Sequence, residues 1–238
     1  MQVEVISSVN EASQTRFHHK TAIVVDVLRA GSTIVTALAA GAEAIIPAET
    51  VMEAKAAQMA GDLLGGERFC RKISGFDLGN SPDEYEAAAV RSRRIILTTT
   101  NGTRALQKSA RADYVLTAAL MNATACARAA LALRRDIVIL CAGYNDAFAA
   151  EDGFGAGLLL EQMTQAGMNA LELDDFALAL LGFYRSRSAY ALETLASGAT
   201  GKRLLKLGLQ QDIETCAQVD IYKDVPILQG EKLVLLKP

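Results

Sequence analysis

Three short segments of this chain carry side chains suited to holding an anion. The first is Leu97-Thr98-Thr99-Thr100-Asn101-Gly102-Thr103-Arg104, which follows the apolar run Ile95-Ile96-Leu97. A strand ending in hydroxyls, an Asn-Gly turn and a helix start would bring free backbone N–H groups, hydroxyl donors and the positive end of a helix to one point. Thr99, Thr100, Asn101, Gly102 and Thr103 are therefore candidate phosphate contacts. A plain turn also uses Thr, Asn and Gly, but three successive threonines are more than a turn requires.

The second segment is Asp26-Val27-Leu28-Arg29-Ala30-Gly31-Ser32-Thr33, at the end of the apolar run Thr21–Leu28. A carboxylate in such a run needs a partner, because an unpaired buried charge is costly. A divalent cation is one such partner and an arginine another, and Arg29 follows three residues later. Ser32 and Thr33 fall where a helix would begin, so the same residues also read as a structural carboxylate and an ordinary helix cap. The third segment is Cys141-Ala142-Gly143-Tyr144-Asn145, with Glu151-Asp152 beyond it. Acids opening a helix are favoured by its dipole in any case, which leaves structural and metal-binding roles both open. Gly153, Gly155 and Gly157 follow acids rather than a strand, which argues against a dinucleotide loop. Between the first two strand ends lie Gly65-Gly66-Glu67-Arg68 and Gly75-Phe76-Asp77-Leu78-Gly79-Asn80-Ser81-Pro82. With Arg71 and Lys72 they read as a long charged loop that could bind or cover an anion.

The elements that must position these residues alternate. Strands are expected at Val3–Ile6, Thr21–Leu28, Ala44–Ile46, Arg94–Thr98, Tyr114–Thr117 and Asp136–Cys141. Helices are expected at Ser32–Ala40, Val51–Leu63, Asp83–Val90, Gly102–Ser109, Ala123–Leu133 and Glu151–Ala166. This alternation predicts an α/β fold: a mostly parallel sheet flanked by helices in three layers, with ligands at the C-terminal edge of the strands. From about residue 170 to 217 the pattern is helical, over Asp175–Leu195, Ala199–Leu207 and Asp212–Ala217, and closing strands are expected at Pro226–Leu228 and Lys232–Leu236. No linker or repeat interrupts the chain, so 1–238 reads as one α/β unit with a helical excursion.

Composition limits the partners. The 238 residues carry a net charge of −3, with no basic stripe of the kind that binds nucleic acid. No apolar run is long enough for a membrane span, and Met1-Gln2-Val3-Glu4-Val5 does not resemble a signal peptide. Cys70, Cys126, Cys141 and Cys216 are widely spaced, which suits the reducing cytoplasm better than a zinc site or a disulfide framework. The Ala- and Leu-rich C-terminal helices suit a homodimer.

Carboxylates beside a phosphate cradle suggest phosphoryl transfer assisted by a hard cation such as Mg2+. Other phosphate chemistries lack their residues. A Cys-x5-Arg phosphatase would need arginine at Phe76, Ala132, Ala147 or Tyr222, an Asp-x-Asp phosphatase would need an acid at Leu28, and no Gly-x4-Gly-Lys-Ser/Thr loop is present. His18 and His19 are the two histidines, in a polar segment near the N-terminus.

Val25-Asp26-Val27-Leu28-Arg29-Ala30, Gly66-Glu67-Arg68, Gly75–Pro82, Thr98–Thr103 and Cys141-Ala142-Gly143 with Glu151-Asp152 occur in the order of motifs that resemble the 2-phosphosulfolactate phosphatase family. Asp212-Ile213, Cys216-Ala217, Asp220 and Val225-Pro226 extend the resemblance over nearly the whole chain. It implies a Mg2+-dependent phosphatase that converts 2-phospho-3-sulfolactate to 3-sulfolactate and phosphate, a step that serves coenzyme M synthesis in methanogens. On this reading Asp26, Glu67 and Asp152 are the candidate Mg2+ ligands. Arg29 and Arg68 neutralise charge, Thr99–Thr103 cradle the phosphate, and Asn80 and Ser81 serve the remaining acid group. The nucleophile is a water held by the metal, Asp26, or Cys141. A different small anionic phosphoester, or anion binding without turnover, are the competing readings. The missing Gly-x-Gly-x-x-Gly after a strand argues against a nucleotide-binding oxidoreductase.

Overall fold

The computed structural model describes residues 1–166 and 171–237. Its first block of strands is built around β2 (Thr21–Val25), a run of five buried residues that must be covered on both faces. It pairs in parallel with β7 (Tyr114–Ala118) and β8 (Ile137–Cys141), placing Ile23 level with Leu116 and Ile139. β1 (Gln2–Ile6) continues this block beside β8, and the short β9 (Glu172–Leu173) ends it. A second parallel block contains β3 (Ala44–Ala48), β6 (Arg94–Thr98) and β4 (Leu63–Arg68). It is edged by β5 (Arg71–Lys72), which turns back against β4.

The chain's last hairpin joins the two blocks. β10 (Pro226–Gln229) pairs antiparallel with β7, and β11 (Lys232–Leu235) pairs antiparallel with β3. The result is one sheet ordered β5-β4-β6-β3-β11-β10-β7-β2-β8-β1-β9. The expected α/β class and mostly parallel sheet are present. Because the hairpin intervenes, the two blocks run antiparallel to each other rather than in one direction. Sheet twist, roughly 20–25° per strand, accumulates across the hairpin and turns the ends of β2 and β8 towards those of β4 and β6.

Helices cover each block on both faces. α1 (Ala30–Ala39) and α4 (Gly102–Ser109) share one core with the inner residues of both blocks, where Ile34, Leu38 and Leu106 meet Val24, Leu140, Ile45 and Leu97. α5 (Ala123–Ala132), α6 (Ala150–Gln165) and α7 (Asp175–Arg187) cover the outer face of the first block through residues such as Phe154, Leu158 and Leu180. α2 (Val51–Ala57) places Ala54 over Ile96 and Leu64 on the outer face of the second. The helical excursion forms α7, α8 (Ala191–Ser197), α9 (Ala199–Lys206) and α10 (Gln210–Cys216). Residue 170, where it was expected to begin, lies outside the described residues. Among the described residues no helix is long and apolar enough to cross a membrane.

Three local expectations are corrected. The helix expected over Val51–Leu63 stops at Ala57, and Leu63 instead opens β4. The Leu-Leu-Gly-Gly start of that strand lacks a β-branched pattern, so it reads as loop; its glycines serve close packing. Gly66 has φ +139° and lies against the Thr98 backbone, a place that leaves no room for a side chain. The helix expected at Asp83–Val90 is a 3-10 turn, Pro82–Glu84, followed by the one-turn α3 (Ala87–Val90). The helix expected over Asp175–Leu195 is interrupted by a 3-10 turn at Ser188–Tyr190.

Leu233 of the joining hairpin is fully buried in the shared core. Leu233→Ala is expected to cost about 2–5 kcal/mol, seen as a lower urea midpoint at unchanged m-value. A loss within error of zero would show that the hairpin does not bind the blocks together.

Candidate active site

A cavity of about 270 Å3 opens where the two blocks turn their strand ends together, lined by Asp26, Arg29, Glu67, Asn80, Thr99, Thr100 and Asn101 among others. Asp26 follows directly on β2. Its Oδ1 accepts the Ala30 N–H at 3.0 Å, which fastens the carboxylate to the first turn of α1. Its Oδ2 faces Gly102 so closely that a Cβ there would stand 2.6 Å away. Only glycine permits this approach of α4 to Asp26. Asn101 completes the junction by donating its Nδ2 to the Gly143 carbonyl at 2.8 Å, which links the loop after β6 to the loop after β8.

Glu67 ends β4 and lies against the threonine turn. Its Oε1 accepts both the Thr100 N–H and the Thr100 hydroxyl at 2.9 Å, and its Oε2 accepts the Cys70 N–H at 2.8 Å. The turn is thus built partly by its own hydroxyls. Thr103 donates Oγ1 to the Thr99 carbonyl, and its N–H bonds the Thr99 Oγ1. What remains for a ligand is the Thr99 hydroxyl proton and the N–H groups of Asn101 and Gly102, which have no partner among the described residues and stand at the positive end of α4.

Arg29, at the start of α1 after a cis Leu28–Arg29 peptide, lines the cavity but is already engaged. It pairs with Asp212 of α10 and donates to the Cys70 carbonyl at 3.0 Å. Ser81 donates to the other Asp212 oxygen at 2.6 Å.

Several expected contacts prove to be framework. Ser32 donates to the Val27 carbonyl and Thr33 to the Asn80 carbonyl, both buried. Arg68 does not line the cavity; it ties Glu67, Glu49 and Thr98 together and so fixes β4 against β6. Asp152 accepts the Val27 and Gly143 N–H groups, one on each oxygen, bridging the ends of β2 and β8. Cys141 is buried in the helix-covered core, and burial pushes its thiol well above the usual range, which removes it as a nucleophile. Cys70 is the thiol at the cavity, its value raised mainly by burial and then by the Glu67 charge. The charged loop expected between residues 65 and 82 is partly the β4–β5 hairpin. Thr200 and Arg203 of α9 also line the cavity. Their segment, Gly198-Ala199-Thr200-Gly201-Lys202-Arg203, offered a helix start with hydroxyl and cation, a weak signal in a region that reads only as helical.

Burial is the largest influence on Asp26 and pushes its carboxyl up to about 7; the Glu67 and Glu151 charges add to the rise, while the Ala30 N–H and Arg29 oppose it. Burial likewise raises Glu151, and it raises Asp152 well above the ordinary carboxylate range. In all three, burial of the charged form is the main cause.

The sequence profile of the 2-phosphosulpholactate phosphatase family matches residues 6–231. This chain belongs to that family. Curated relatives of similar length bear the same description. A probable 2-phosphosulfolactate phosphatase of Symbiobacterium thermophilum is 41% identical, the match covering 92% of this chain and 95% of the relative. One from Thermotoga petrophila is 38% identical, with 91% and 92% covered. One from Clostridium botulinum is 37% identical, with 99% and 100% covered. Within this family member, the residues at the cavity are those of the expected motifs at Asp26–Arg29, Glu67, Asn80 and Thr99–Asn101, joined by Thr200 and Arg203.

The raised Asp26 value carries a consequence for stability. Between the ordinary 3.8 and about 7, the folded chain retains a proton that the unfolded chain has released. Asp26 therefore destabilises the metal-free fold increasingly as pH rises through that window. Asp26→Asn is expected to gain stability over wild type from about pH 4 to about pH 7, with a constant advantage above, in urea melts with chelator present. A pH-independent difference would refute the burial account of Asp26.

Proposed function

We propose that this chain hydrolyses the phosphate ester of 2-phospho-3-sulfolactate, giving 3-sulfolactate and inorganic phosphate, with Mg2+ as cofactor. The observation that carries the reading is that one cavity holds both the donor end of α4 and the paired carboxylates Asp26 and Glu67. The names of the relatives supply the substrate. The four free thiols suit an enzyme of the reducing cytoplasm.

A cation fits the arrangement on electrostatic grounds. Two unit charges 4 Å apart interact by roughly 4 kcal/mol at an effective dielectric near 20. A phosphate beside two carboxylates meets such repulsion from both, whereas each hydrogen bond to a charged group offsets only about 1.5–3 kcal/mol. Arg29 contributes little net charge, because Asp212 neutralises it. Mg2+ is commonly held by one or two carboxylates together with water and substrate phosphate oxygens. Asp26 and Glu67 would supply those carboxylates. Asp152 is less suited, since it does not line the cavity and instead bridges the ends of β2 and β8. Bound there, the ion would neutralise the phosphoryl oxygens and so favour their attack by water.

The chain's own residues then have separable roles. The Asn101 and Gly102 N–H groups and the Thr99 hydroxyl receive phosphate oxygens and orient the ester. Thr100 and Cys70 hold Glu67 in place through their N–H groups. Ala30 orients Asp26, whose carboxyl is positioned either to guide the attacking water or to attack directly. Net turnover consumes one water, breaks the phosphate ester and returns the alcohol.

Phosphate release is expected to be Mg2+-dependent, to be abolished by chelator and restored by added Mg2+, and to favour 2-phosphosulfolactate over simple phosphomonoesters. Asp26→Asn should lower turnover by about 1,000-fold or more. Undiminished release in excess chelator would remove the metal from the mechanism. Saturable phosphate binding without release from any ester would indicate an anion-binding protein.

A further inference from the structure

The proposed substrate has three acidic groups, whereas the donor end of α4 accounts for one. Arg203 projects from α9 into the cavity and, among the described residues, its guanidinium forms no hydrogen bond or ion pair. It differs in this from Arg29, which is committed to Asp212 and Cys70, and from Arg68, which is committed to backbone and threonine oxygens outside the cavity. An unpaired guanidinium lining a cavity has donors to spare for a planar or tetrahedral acid group.

A second observation falls in the same cavity. Asn80 is buried, yet its Oδ1 has no hydrogen-bond partner, and no protein group engages its amide. Half a turn of the amide about its last side-chain bond presents the NH2 at that position instead. A buried amide without a protein partner is costly unless a ligand satisfies it. Asn80 also borders an adjoining hollow, where Arg71 of β5 and Lys206 of α9 add cationic charge. Lys206 is one helical turn beyond Arg203, so both emerge from the same side of α9.

We infer that Arg203 and Asn80 form the subsite for the sulfonate of the substrate, and that Arg203 is the residue that sets the preference for a sulfonated over an unsulfonated phosphoester. The inference rests on the proposed function, since it assigns a second acid group of that substrate. A sulfonate only accepts hydrogen bonds, and the guanidinium and the amide NH2 only donate. The phosphate is held from α4 and the sulfonate from α9, so one ester is gripped at two points by elements far apart in the chain.

The test compares 2-phosphosulfolactate with 2-phospholactate, which keeps the phosphate and carboxylate but lacks the sulfonate. kcat/KM is measured for both with wild type, Arg203→Gln and Arg203→Lys, and 3-sulfolactate is titrated into each protein by calorimetry. Arg203→Gln is expected to lower kcat/KM for the sulfonated ester by about 10–100-fold, to weaken 3-sulfolactate binding by a similar factor, and to affect 2-phospholactate far less. Arg203→Lys should recover part of the loss, since it restores charge without the bidentate fork. An equal loss for both esters would assign Arg203 to the phosphate or to folding and overturn the inference. No loss for either ester would overturn it too, with the proposed function left standing. If wild type hydrolyses other phosphoesters but neither cleaves 2-phosphosulfolactate nor binds 3-sulfolactate, the substrate reading fails first and the sulfonate subsite falls with it.

Discussion

Asp26 stands at the end of a fully buried strand of the sheet, with one oxygen fixed by the Ala30 N–H and the other against Gly102. A carboxylate in that position cannot be left to water, and the nearby Glu67 and Glu151 charges make it less comfortable still. Much of the surrounding architecture follows from accommodating it. α1 begins where its first N–H, that of Ala30, can reach the carboxylate. α4 begins with a glycine because anything larger would collide with it. Asp152 binds the loops on either side of it through two backbone N–H groups. Such a group is held in readiness for a partner that arrives later, a proton or a cation, and stability is given up to keep it there.

The sheet solves a geometric problem that this carboxylate creates. Asp26 and Gly143 belong to one parallel block, and Glu67 and the threonine turn belong to the other. A single parallel sheet would set these ends side by side along an edge. Here the β10–β11 hairpin separates the blocks, and the accumulated twist lets them face each other across α1 and α4. The donor end of α4 is thereby aimed at the end of β2, and Asn101 can reach the Gly143 carbonyl. A cleft between facing strand ends also excludes water better than a crevice at an open edge, which strengthens every charge interaction within it.

What could be read from the sequence tracks how local each signal is. β2, β6 and β8 are apolar runs bounded by polar turns, and Pro226–Leu228 and Lys232–Leu236 mark the closing strands within a residue or so. Asp26, Glu67, Asn80 and the threonine turn stood out because their polarity conflicts with their apolar or glycine-rich neighbours, and that conflict marks a site. β4 was hidden because Gly65 and Gly66 serve tertiary packing rather than strand propensity. The antiparallel relation of the blocks was hidden because it depends on a hairpin more than 100 residues from the strands it joins. Arg203 was hidden for a similar reason: on a helix with ordinary cationic content, nothing local separates a ligand contact from a solvated residue. Arg68 and Thr103 show the converse, since residue types suited to phosphate are used here to build the frame.

This division between frame and contact explains how an acidic protein can receive a multiply charged anion. The hydroxyls of Thr100 and Thr103 and the side chains of Arg29, Arg68 and Ser81 are satisfied within the protein, so they contribute rigidity rather than affinity. The groups left over are few and of distinct kinds: backbone N–H at α4, the Asp26 and Glu67 carboxylates, the Asn80 amide and the Arg203 guanidinium. Backbone donors are fixed in position and recognise a phosphate by geometry, whereas the guanidinium reports a second negative charge at a distance from the first. The Asp26 and Glu67 carboxylates of the same cavity would repel an anion that arrives without a cation. On the proposed reading the arrangement would select for three things at once, a phosphate, a hard cation and a second acid group, and omission of any one would leave a charge in the cavity without its partner.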